Sequence, residues 1–284
     1  MIKTDPKKTQ KVVFFLLGAS TFLIILPVVF IFLLMLYNGL QALTPEFIFS
    51  VPKAGMREGG IFPAIVGTVY LVLGTAAFSI PLGILAAVYL SEYAKENWFT
   101  RMIDIAIVNL AGVPSIVYGL FGLALFVMLL DLGTSIMAGS LTLSIMTLPV
   151  IITASKEALD AVPKSFREVS YSLGASRWQT IWLVVLPNAV PGILTGTILG
   201  LSRAAGETAP ILFTVAAFYL PRLPTSVYDQ VMALPYHIYV LSTQVPNVSP
   251  RLQYGTILVL ILLVFAMNIA AAVIRAKFRK KKLW

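Results

Sequence analysis

The 284-residue sequence contains no cysteine and a single histidine, His237. Without cysteine there is no disulfide, no thiolate metal site and no thiol redox centre. One histidine leaves no metal-binding cluster and almost no general-base repertoire, which argues against a membrane-embedded enzyme. Charge is equally scarce. Asp, Glu, Lys and Arg make up 12% of the residues, against about 25% in an ordinary globular chain. No G-x-x-x-x-G-K-[ST] run occurs, so the chain lacks the phosphate cradle of a P-loop ATPase. No cofactor is implied.

What the sequence does hold is apolar. Hydrophobic residues account for 58% of it, and several runs exceed the ~18 residues that mark a membrane span. Spans are expected at roughly 12–37, 62–90, 103–130, 134–154, 188–218 and 255–275. The fold class is therefore all-α: a polytopic membrane helix bundle of about six transmembrane helices. The run from Val12 to Tyr37 follows a basic start as a signal peptide does, but it is too long for an h-region and is expected to be a retained span. The fourth run, rich in Gly, Ser and Thr, suits an interior helix where neighbours approach closely.

The net charge of +9 could suggest nucleic acid, but its distribution points to a lipid bilayer. Lys3, Lys7, Lys8 and Lys11 precede the first run, and Arg275, Lys277, Arg279, Lys280, Lys281 and Lys282 follow the last. The 91–102 loop adds Lys95 and Arg101; the 155–187 loop adds Lys156, Lys164, Arg167 and Arg177. Only Lys53, Arg57, Arg222 and Arg251 fall in the opposite loops. This asymmetry predicts a multi-pass protein of the cytoplasmic membrane with both termini cytoplasmic. The external loops 38–61 and 219–254 carry glycine and proline turn signals, so 38–61 is expected to be irregular. Either loop suits docking of an external partner or mere connection.

The 155–187 loop is the most informative segment. Ser165 and Glu168 form an S-x-x-E capping box, and Ser176 with Gln179 repeats it. Gly174 stands between them, where a left-handed helix stop is expected. The segment thus reads as helix, glycine turn, helix, then Pro187 at the entrance to a span.

The fifth span holds the one basic residue inside a run, Arg203. Gly196, Gly200, Arg203, Glu207 and Thr214 fall on one stripe of a continuous helix. Arg203 lies twelve residues past Pro191, about 18 Å along a helix. A cation at that depth faces protein or a water-filled path. Two readings follow: a structural ion pair with Glu207, or bidentate donors for a passing oxyanion. Asn109 and Asn268 are expected to bond across helices, His237 to pack locally, and Asp5 and Asp104 to be solvated or interfacial.

The loop also carries a longer pattern. Glu168, Val169 and Ser170 are followed by three residues, Gly174, nine residues, then Val184, Val185, Leu186 and Pro187. This resembles the EAA-x3-G-x9-I-x-L-P motif of binding-protein-dependent ABC importer permeases. Spacing is kept, while both alanines and the isoleucine are replaced. GGIFPAIVGT at 59–68, GVPSIVYGLFG at 112–122, RAAGETAP at 203–210 and ALPYHIY at 233–239 resemble the phosphate-importer branch, in particular PstA-type subunits. The sister PstC-type subunits share part of this pattern. The resemblance implies a type I ABC importer permease (MetI-like) fold over 59–275. Residues 1–58 would precede it as a cytoplasmic segment, first span and external loop, and 276–284 would form a basic cytoplasmic tail. The 155–187 loop would couple to the ATPase through Glu168, Gly174, Leu186 and Pro187. The implied substrate path includes Arg203, Glu207 and Thr208. The implied partners are a homologous permease subunit, two cytoplasmic ATPase subunits and an extracytoplasmic phosphate-binding protein. Transport of another solute or oxyanion, and a passive channel, are the competing readings.

Overall fold

The computed structural model describes residues 6–280; Lys3, Asp5, Lys281 and Lys282 lie outside the described residues. Helix α1 spans Pro6–Leu40, and a short helix α2 follows at Pro45–Phe49. Strands β1 (Pro52–Lys53) and β2 (Glu58–Gly59) pair antiparallel as a minimal hairpin. Loop 38–61 is therefore partly ordered rather than wholly irregular. Thr44 explains part of this, because its side chain accepts the Phe47 amide at the start of α2.

The bundle proper begins with α3 (Phe62–Val88), which continues through one widened turn to Tyr93. After it come α4 (Trp98–Ala111), α5 (Ser115–Gly122, continuing to Leu129), α6 (Ile136–Asp160), α7 (Lys164–Ser172) and α8 (Arg177–Thr180). The chain then forms α9 (Leu186–Gly206), α10 (Ala209–Leu212), α11 (Leu234–Thr243) and α12 (Pro250–Lys280). Among the described residues, five helices are long and apolar enough to cross a membrane, or six if the α4–α5 pair is one span. The protein is a multi-pass membrane helix bundle.

Small residues set the helix spacing. An added Cβ on Gly74 or Gly83 of α3 would run into Ser140 or Ile151 of α6, so the two helices run parallel. Gly192, Gly196 and Gly200 of α9 face Ala158, Ala154, and Ile151 with Thr147, so α9 runs antiparallel to α6. At Gly74, Gly83, Gly192 and Gly196 an added Cβ would come within 2.6 Å of a neighbouring side chain, so close helix approach there requires glycine. The hydroxyls of α6 serve this packing too: Ser144 donates to the Thr75 carbonyl of α3 at 3.1 Å. Between α9 and α12, Ser202 donates to Asn268 at 2.6 Å, the cross-helix bond expected of that asparagine. Asn109 is exposed. Asp104 is ion-paired with Lys156 at 2.8 Å, not merely solvated.

Helix α1 stands apart. Its apolar window is unburied, and burial begins only toward its C-terminal end, from Leu34 on, where Gly39 meets Tyr254 and Leu258 of α12. The 213–231 segment caps α6, with Ser135, Ile136 and Met137 amides donating to Thr214, Asp229 and Val227 carbonyls. Loop 219–254 also contains α11, whose His237 is 3% exposed. His237 is packed as expected, with its Nδ1 left without a partner. Burial holds its pKa well below the usual histidine value, at about 4.

Candidate functional site

Two expected spans are broken, and the breaks fall together. The 103–130 run does not form one straight helix: α4 and α5 meet at 103°. The cause is local. Pro114 lacks an amide and pushes Val113 away from helical geometry, next to Gly112. The 188–218 run is corrected likewise. Helix α9 ends at Gly206, and Glu207 is extended with ψ 133°. Glu207 and Thr214 are therefore not on a continuous helical stripe with Gly196 and Gly200. Thr214 is buried and donates to the Pro210 carbonyl at 2.9 Å.

Contacts fix the level of the breaks. Ile107 and Val108 of α4 lie beside Ile152 of α6, whereas Gly122 of α5 presses on Thr142. The 112–114 break thus falls midway along α6. Gly200 faces Thr147, so Arg203 sits near the level of Ser144, about 12 Å from the N-terminal end of α6. Gly119 of α5 abuts Ala209, Pro210 and Phe213 beyond the second break. Irregular backbone at such depth is tolerated only inside protein or along a polar cavity.

Polar groups converge there. The Glu207 carboxylate reaches back to accept from Arg203 Nε at 3.1 Å. Their side chains are 43% (Arg203) and 17% (Glu207) exposed. Both terminal nitrogens of the guanidinium have no protein partner among the described residues. Tyr118 of α5 is 5% exposed. The Tyr118 hydroxyl donates to the Leu110 carbonyl at 2.7 Å, which also accepts the Val113 amide at 3.1 Å where α4 ends. Tyr118 is the residue that sequence reasoning missed, although it lies within GVPSIVYGLFG. Thr208 precedes α10 and gives it no side-chain cap. Glu207 also borders a small cleft with Thr68, Leu71 and Val72 of α3 and Ala204.

A larger cleft of about 810 Å³ opens at the other end of α6, beside Arg101 and Lys156. Glu96, Asp104 and Asp160 line it as well, so its charges are mixed and it suits an oxyanion poorly.

That other end, the basic end, carries the α7–α8 loop. Gly174 adopts φ +83°, the left-handed stop expected of it. The Ser176–Gln179 capping box is formed in both directions. The Ser165–Glu168 box is not. Pro163 occupies the cap position with φ −55°, so the helix starts at Lys164 and Ser165 lies already inside its first turn. Nor is α8 a separate short helix, because Arg177–Gly206 is one continuous 30-residue helix. Pro187 therefore sits inside it rather than at an entrance. A widened turn at Ile181–Val185 precedes Pro187, relieving the clash that proline imposes on the preceding turn. Leu186 packs against the apolar cluster of Ala87, Leu159 and Val185, while Glu168 is exposed. Val169 is 60% and Leu173 83% exposed, and a Cβ on Gly174 would meet nothing. The loop thus presents an uncovered, partly apolar apex.

Residues 79–282 match the family model described as "Binding-protein-dependent transport system inner membrane component". The chain is 34% identical to the probable ABC transporter permease protein YqgI of Bacillus subtilis (strain 168), over 97% of this chain and 98% of that one. It is 39% identical to the phosphate transport system permease protein PstA 1 of Mycobacterium tuberculosis (strain CDC 1551 / Oshkosh), over 76% and 71%. Its fold is similar to a chain of a bacterial ABC transporter involved in import of the acidic polysaccharide alginate, with TM-score 0.68, 13% identity, and 95% and 98% coverage. The chain therefore belongs to the binding-protein-dependent transport system inner membrane components, the permease subunits of ABC importers.

Proposed function

We propose that this chain is a permease subunit of an ATP-driven importer of inorganic phosphate, working by alternating access. The observation that carries the substrate is the half-exposed Arg203 fork. It lies where two helix breaks meet, with Nε held by Glu207 and both terminal nitrogens unpartnered. A guanidinium oriented in this way offers planar, paired donors to a phosphate oxygen pair. Glu207 fixes the fork and limits how tightly an anion binds. Thr208 and the α5 end by Tyr118 complete the path surface. The relatives named as phosphate permeases support the same substrate.

The partners follow from this reading. The basic end is cytoplasmic, with both termini on that side. The α7 apex seats in one of two ATPase subunits, which supply the nucleotide site that this sequence lacks. Glu168, Gly174, Leu186 and Pro187 shape the seat and its junction with α9. The exposed face beside Arg203 meets a homologous permease subunit, and a phosphate-binding protein docks on the outer loops. Co-purification with the ATPase and phosphate-stimulated ATP hydrolysis in liposomes test this. Stimulation by another oxyanion but not by phosphate would move the substrate elsewhere.

A further inference from the structure

One carboxylate at the basic end is buried where neither the path nor the α7 apex uses it. Glu92 lies in the final widened turn of α3 and is 6% exposed, facing Arg167 of α7 at 16%. Arg167 grips it in a fork: Nη2 to Oε1 at 2.5 Å, Nε to Oε1 at 3.1 Å and Nε to Oε2 at 3.3 Å. The same guanidinium donates to the Leu159 carbonyl at 3.0 Å and the Val162 carbonyl at 2.8 Å, at the end of α6. From the other side, Arg177 of α8 donates to the Glu92 main-chain carbonyl. Its guanidinium lies 4.9 Å from the Tyr93 ring centre.

The rest of the attachment is less directional. Phe166 packs against the apolar cluster around Ala87 and Leu159, and Ser170 bonds Thr180 at 2.9 Å within the loop. Apolar contact has no preferred orientation, whereas a forked arginine–carboxylate pair fixes both distance and angle. Helix α3 then runs from Glu92 to Thr68, Leu71 and Val72, which border the Glu207 cleft. Between Glu92 and Val72 that is about 30 Å of helix.

We propose that Glu92 is a positioning residue for coupling: it ties α7 to α3, so that movement of the ATPase seat is delivered to the helix bordering the path. This rests on α7 being that seat. The assembled transporter in phosphate-loaded liposome assays tests it with Glu92→Gln, which keeps the shape and removes the charge. The expected result is normal complex yield and near-normal ATP hydrolysis, with phosphate transported per ATP falling on the order of tenfold, the factor of one charge-assisted bond. Amide exchange over 164–172 should rise with it. Arg167→Lys, which keeps charge but loses the fork, should fall between wild type and Glu92→Gln. Unchanged phosphate per ATP, or uptake, hydrolysis and yield declining together, would overturn the proposal. Should the wild-type complex show no phosphate-dependent ATP hydrolysis, the transport reading fails instead. Exchange over 164–172 still decides the tie, which is wrong if Glu92→Gln leaves it unchanged.

Discussion

Arg203 and Glu207 are bonded through a single nitrogen at 3.1 Å, and that geometry separates the two roles open to them. A structural pair engages the fork; a path residue keeps it free. Arg203→Ala is expected to lower phosphate uptake roughly ten- to hundredfold, the value of one charge-assisted contact, while complex yield holds. Arg203→Lys should recover part, since lysine keeps the charge without the planar fork. If the double change with Glu207→Ala restores uptake along with yield, Arg203 is only structural. His237 offers a second test at this scale. Its pKa is held at about 4 by burial, below the ordinary value of about 6.5. The unfolded segment therefore takes up a proton first as pH falls. Protection of α11 amides should be full above about pH 6.5 and decline toward pH 4, by on the order of 3 kcal/mol. His237→Gln should flatten that profile. Arg203 stood out in the sequence because a cation in an apolar run is conspicuous. Tyr118 did not, because its value lies in reaching back eight residues to Leu110 across a bend that no periodicity reveals.

Among the elements, the α7–α8 turn and the α4–α5 break carry separate expectations. Gly174 holds φ +83° in open space. Gly174→Ala should therefore cost only the left-handed strain, about 1 kcal/mol, and leave ATPase docking intact. Gly174→Leu adds a branched side chain at the apex and should uncouple hydrolysis from transport with the spans still inserted. Normal transport and normal ATPase stimulation in that variant would remove the docking role. At the break, Tyr118→Phe removes one bond to the Leu110 carbonyl, which keeps the Val113 amide, a loss of about 0.5–1.5 kcal/mol. The expected readout is faster amide exchange around 110–118 and a lower melting temperature, with membrane insertion unchanged. The turn was legible in advance because glycine and the Ser176–Gln179 box act within a few residues. The start of α7 was not, since Pro163 displaced Ser165 as the cap.

Over the whole molecule, charge asymmetry and bundle geometry agree on which ends lie together. Lys156, Arg167 and Arg177 share the end where α3 and α6 finish, and Arg275 of α12 lies toward the same end beside Thr195 of α9. The chain has no cysteine, so single cysteines report topology without background. A membrane-impermeant thiol reagent added to intact cells should label a cysteine at Glu58 and miss one at Lys164. Labelling at Lys164 from outside would invert the topology. The unburied length of α1 and the exposure beside Arg203 leave wide apolar surface on the single chain, in keeping with a subunit that acts within an assembly.

The membrane class, four of the six expected spans and the glycine turn were determined by the sequence itself, because they depend on composition, run length and backbone preferences that act locally. The coincidence of two helix breaks, the Tyr118 bond to Leu110 and the grip of Arg167 on Glu92 were decided only by tertiary structure. Each joins residues from different helices or across a sharp bend, and Glu92 and Arg167 lie 75 positions apart. Neutralising a buried charge or bonding a tyrosine hydroxyl depends on which partner packing delivers, and no spacing along the chain encodes that.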